Sequence, residues 1–139
     1  MVIISGDTLL LSVPPESSRE HRERIMTDWY RARLGALIPN LVERWEPVVG
    51  HRADEVRIRK MKTKWGSCNI DARRIWLNLE LAKKPPRCIE YILVHELVHL
   101  AERHHNDRFR ALMDRHLPDW RTRRDELNAA PLAHEQWGY

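Results

Sequence analysis

Cysteine is scarce in this chain, with only Cys68 and Cys88 among 139 residues. Two thiols are too few for a disulfide framework, so stability must come from a packed core. A cytoplasmic protein with free thiols is the simplest expectation. Long apolar runs are missing too, and no segment approaches the length needed to span a bilayer. The opening stretch MVIISGDTLLLSV lacks a basic n-region and a clean small-residue cleavage site, so it makes a poor signal peptide. Internal repeats and low-complexity segments are absent as well.

What remains is a globular mixture. Hydrophobic residues make up 42% and charged residues 32%, which excludes a disordered chain. The length suits one domain, residues 1–139, with one core. Within it, residues 1–15 read as a short β-hairpin extension, 17–128 as the core and 129–139 as a weakly patterned tail. The net charge of +4 is dominated by arginine. It permits contact with nucleic acid without demanding it.

Strand signals occur at residues 2–4 and 8–13, around Ser5-Gly6-Asp7, and Pro14-Pro15 then break the chain. Ser17, with Glu20 three residues on, offers a capping box for a helix. Its expected apolar face holds Ile25, Trp29, Ala32 and Ala36, with Met26, Tyr30 and Leu37 beside it. Gly35 and Pro39 predict a kink or break, followed by a shorter helix through Leu41, Val42 and Trp45 that ends before Pro47. Residues 55–62 and 73–81 alternate, with Val56, Ile58, Ile75, Leu77 and Leu79 on the inner face. They predict a hairpin closed by a longish loop. Pro85-Pro86 starts a further helix through Leu93, Leu97 and Leu100. Asn106 can cap the next, with Phe109, Leu112, Met113 and Leu117 as its stripe. A last short helix is expected at residues 120–127.

The polar residues of YILVHELVHLAERHH, residues 91–105, stand out against this background. His95 and His99 are four apart and project from one helix face, one turn from each other. Two imidazoles there can hold a divalent ion. Glu96 is displaced around the helix, where it can reach a water on that ion rather than ligate it. This is the His-Glu-x-x-His pattern of zinc peptidases. The alternative is a pair of ordinary core histidines. However, burying three polar groups within a turn and a half is costly without dedicated partners.

Catalytic zinc takes three protein ligands and keeps a fourth position open. His105 lies six residues past His99, and on a continuous helix it would point away from the metal face. The helix must therefore end near residues 101–103 and the chain must fold back. Metzincins share this spacing but turn on a glycine, where Glu102 stands here. His104 and Glu126 are the alternative third ligands. With Zn²⁺ bound, a coordinated water becomes acidic enough to attack at neutral pH, and Glu96 can serve as general base.

Several pieces together resemble the YgjP-like branch of the SprT-like zinc metallopeptidases. They are Lys64-Trp65-Gly66-Ser67-Cys68, Leu77-Asn78-Leu79 and Leu93-Val94-His95-Glu96-Leu97-Val98-His99-Leu100. His105 followed by Phe109, and Pro118-Asp119, complete the set. The resemblance covers roughly residues 29–127. It implies a compact α+β, zincin-like domain in which a small, mostly antiparallel sheet packs on helices. It also implies metal ligands at His95, His99 and His105 and a catalytic Glu96. The chain departs from the usual family residues at His104, Asn106 and Arg110, where Asn, Ser and Trp are common, and its N-terminal β region looks short.

Two further stretches have plain readings. Gly66 suits a tight turn or bulge, Trp65 the core, and Cys68 a packing position, although a strand here could also bind substrate along its edge. The basic run from Arg57 to Lys64 reads as a solvated sheet face. A protein or peptide is thus the expected substrate, nucleic acid is not favoured as a partner, and no membrane is involved. The competing readings are a nucleic-acid-associated module with a structural zinc and a zinc hydrolase of non-peptide amides.

Overall fold

The computed structural model describes residues 2–5, 8–11 and 18–129. Strands β1 (Val2–Ser5) and β2 (Thr8–Leu11) pair antiparallel, as the N-terminal signals predict. Ser17 and the tail from residue 130 lie outside the described residues.

Helix α1 runs unbroken from Arg19 to Val49, through both Pro39 and Pro47. Its N-cap is Ser18, whose hydroxyl accepts from the His21 N–H at 3.1 Å. The cap thus falls one residue after Ser17. The expected break at Pro39 does not occur. Leu34 and Ile38 before it, and Leu41, Val42 and Trp45 after it, stay on one 3.6-residue stripe against the core. Burial of that stripe opposes the roughly 3 kcal/mol a proline costs inside a helix. Ala32 and Ala36, expected on the inner face, are exposed, and Tyr30, Leu34 and Ile38 face inward instead.

Strands β3 (Glu55–Arg59), β4 (Gly66–Asn69) and β5 (Arg74–Asn78) form a mixed sheet in the order β3-β5-β4. The expected β3–β5 hairpin is therefore corrected. The two pair in parallel, because β4, within the stretch read as their loop, returns antiparallel to β5. Ile75 and Leu77 are fully buried, as alternation predicts. Asn78, expected outside, is fully buried too. A short 3-10 helix, Leu79–Lys83, follows β5.

Helix α2 (Pro86–His99) starts with proline in its first turn, as read from Pro85-Pro86. Every residue from 91 to 98 is buried. A helix apolar on all sides belongs at the centre of a fold. Here α1, the sheet, α3 (Asp107–His116) and α4 (Trp120–Asn128) surround it. No described helix is long and apolar enough to cross a membrane.

Glu90 ties three of these elements together. Its carboxylate accepts from the Trp45 indole at 2.8 Å and from Arg123 at 2.6 Å, with Arg44 at 3.4 Å. Burial alone would raise its pKa, but these hydrogen bonds and charges outweigh burial and hold the carboxyl below its usual 4.5. A depressed carboxyl stabilises the fold above its unfolded pKa, and that stability is lost as pH falls through the folded value. Glu90→Gln is therefore expected to cost about 2 kcal/mol at pH 7. The gap from wild type should narrow below about pH 4.5 in urea titrations run at several pH values.

Candidate metal centre

α2 ends where its second motif histidine stands. The N–H groups of Leu100 and Ala101 turn back to the carbonyls of Leu97 and Val98, and Glu102 N–H also reaches Val98 O at 3.0 Å. These tight bonds reverse the chain without a left-handed residue, since Arg73 is the described non-glycine residue with positive φ. Glu102 therefore needs no glycine-like backbone to make this turn. Its carbonyl lies 3.0 Å from His99 Nδ1. A carbonyl only accepts, so Nδ1 carries the proton and Nε2 keeps its lone pair.

The return strand of the turn is fixed equally closely. The Glu102 carboxylate accepts from the Asn106 amide at 2.9 Å, and Asn106 Oδ1 accepts from Phe109 N–H at 3.0 Å, capping α3. Arg110 donates to the His105 carbonyl at 2.7 Å and to Asp107 at 2.6 Å. Two of the departures from the usual family residues, Asn106 and Arg110, thus brace His105.

The outcome is convergence of three imidazoles. His105 Nε2 lies 3.1 Å from His95 Nε2 and 2.9 Å from His99 Nε2. The three ligand nitrogens all lie within 4.8 Å of one another, close enough to hold one metal ion. Phe109 packs against all three rings at 4.7–4.9 Å between centroids. His95 is buried, His99 intermediate and His105 exposed, so the group opens to solvent on the His105 side. Burial lowers the pKa of each histidine. The neighbouring histidines add to this at His95, and Arg110 and His104 at His105. At His99 the Glu102 carbonyl acts in the opposite direction. All three shifts favour the neutral imidazole, which is the form that ligates.

The alternative ligands fall elsewhere. His104 is exposed and stands outside the convergent group. Glu126 is engaged by Arg87, with Nε–Oε2 at 2.6 Å. Burial, then the nearby Glu96 carboxylate, push the Cys68 thiol up to about 12, so it stays protonated. This fits packing rather than nucleophilic chemistry. Glu96 is 1% exposed and lies against Gly66 of β4. Gly66 is in a strand, not the turn or bulge expected for it. Asn78, which alternation places on the solvent side, instead donates its buried amide to the Met61 and Lys64 carbonyls before β4. The only sequence signal of this was a polar residue inside the Leu77-Asn78-Leu79 run.

A central helix carrying two histidines, a third delivered by a turn, and a small sheet alongside define a metallopeptidase domain. The model of the YgjP-like metallopeptidase domain matches residues 1–130, and the chain belongs to that family. In structure it is similar to the metallopeptidase zymogen abylysin of Pyrococcus abyssi. The TM-score is 0.58 and the identity 24%, over 63% of this chain and 89% of that one. No curated protein matches the chain. Family and fold make it a hydrolase whose metal can be held by three histidines.

Proposed function

We propose that this protein is a zinc-dependent peptidase in which His95, His99 and His105 hold the ion and Glu96 is the general base. The observation that carries this reading is the convergence of three imidazoles, His105 Nε2 lying 3.1 Å from His95 Nε2 and 2.9 Å from His99 Nε2, with a buried glutamate next in sequence to the most buried histidine. Zinc bound there supplies an acidified water and a Lewis acid for the scissile carbonyl. Glu96 takes the proton of the attacking water and passes it to the departing amine. Phe109 walls one side of the histidines and limits water there.

The substrate is an extended peptide laid along β4. This strand is at the sheet edge and, among the described residues, pairs only with β5. Asn78 N–H bonds Trp65 O at 2.9 Å, so antiparallel alternation turns the N–H and C=O of Cys68 toward the outer edge of the sheet. Those groups can pair with a substrate backbone. Free cysteines at positions 68 and 88 support a cytoplasmic setting.

The test uses an unfolded, carboxymethylated protein as substrate. Zinc at one equivalent, cleavage abolished by a chelator and cleavage restored by zinc are the expected results. Zinc-loaded protein that cleaves neither this substrate nor a mixed peptide library would remove the peptidase reading. It would favour a structural or non-peptide site.

A further inference from the structure

Gly66 stands opposite Leu77 in the β4–β5 register and faces α2. A Cβ placed there would meet Ile92 Cγ2 at 3.0 Å, Glu96 Cγ at 3.1 Å and Glu96 Oε1 at 3.3 Å. Contacts at these distances are tighter than nine in ten real Cβ contacts, so a neighbour would have to give by a few tenths of an ångström. The backbone does not demand the glycine, because Gly50 is the described glycine with positive φ. Space demands it.

β4 cannot retreat to make room. It is laddered to β5, and the Trp65 carbonyl before it accepts from Asn78 N–H, with Trp65 itself buried. Ile92 is fully buried within the core cluster. Of these two neighbours, Glu96 has the longer side chain with more rotatable bonds, so it is the one an added Cβ would displace. We propose that Gly66 is a positioning residue for Glu96: its bare backbone is the wall that sets where the carboxylate rests. This inference builds on the peptidase reading above.

Gly66→Ala and Gly66→Val test it as a graded series. The readouts are kcat and KM on a peptide cleaved by wild type, zinc content, thermal melting and crystal structures. A misplacement near 1 Å can cost about a hundredfold. Alanine is therefore expected to lower kcat about tenfold and valine about a hundredfold or more. KM should stay within about twofold, with zinc at the wild-type level. The crystal structures should show the Glu96 carboxylate displaced and the three histidine Nε2 atoms in place.

Adding Ile92→Leu to Gly66→Ala removes the Cγ2 methyl that makes the other close contact and keeps the side-chain volume. Recovered melting without recovered kcat supports positioning. Recovery of both together would reduce Gly66 to simple packing and overturn the inference. An unmoved Glu96 with wild-type kcat would overturn it while leaving the peptidase reading intact. A displaced Glu96 in a protein whose wild type cleaves nothing would uphold the positioning inference and sink the peptidase reading.

Discussion

Glu96→Gln should bind zinc at the wild-type level and lose peptide hydrolysis by about 10²- to 10⁴-fold, the range that a general base contributes. Three features favour this separation of binding from turnover. The convergent nitrogens belong to His95, His99 and His105, and Glu96 is not among the grouped donors. Glutamine has the shape of glutamate, so it fits the seat against Gly66 and Ile92 without new contacts. The amide cannot accept a proton near neutral pH, so only the proton transfer is removed. Metal analysis after dialysis and single-substrate kinetics, run on the same preparation, read the two properties apart. Loss of zinc from Glu96→Gln would make Glu96 part of the binding set. Unchanged turnover would place the base elsewhere. A fall in kcat with steady KM is the signature of a group acting in the transition state.

The site was more legible in the sequence than the sheet, and the reason is range. His95 and His99 are related by the geometry of one helix, which fixes their common face without any tertiary information. His105 could be named because a continuous helix cannot bring it back, so a turn was required, and Asn106 marked where the next helix begins. The strand pairing had no such local constraint. β4 reads Gly-Ser-Cys-Asn, which has little β-propensity and no apolar alternation, so it passed for loop. Once β4 is recognised as a strand, β5 gains it as an antiparallel neighbour and keeps β3 as a parallel one. Helix α1 misled in the other direction. Proline is a strong local signal, but the apolar stripe keeps its phase through Pro39, and tertiary burial prevailed over propensity.

Asn78→Ala should destabilise the fold by about 3 kcal/mol in urea denaturation at pH 7, a large loss for a single surface-sized side chain. Alternation alone would place Asn78 on the solvent side, yet it is fully buried and works as a four-way clamp. Its amide donates to the carbonyls of Met61 at 2.9 Å and Lys64 at 2.7 Å. Its Oδ1 accepts from Glu80 N–H at 3.0 Å and more weakly from Met61 N–H at 3.4 Å. Both donors and both acceptor positions are thereby used, the full capacity of an asparagine. Alanine leaves the two carbonyls and the Glu80 N–H to find other partners, and each failure costs about 1–3 kcal/mol. Asn78→Asp separates the donor role from the shape. It keeps the acceptor but turns a second carboxylate oxygen toward two carbonyls, so its ionised form is disfavoured and its folded pKa rises. Stability of the aspartate variant relative to wild type should therefore improve as pH falls and the carboxyl regains a proton to donate. A variant no less stable than wild type at pH 7, or an aspartate whose deficit is flat with pH, would show that the clamp carries little. If the clamp holds as expected, it also anchors the segment of residues 61–64 that leads into β4. The placement of Gly66 against Glu96 then depends on a buried amide on the far side of the strand.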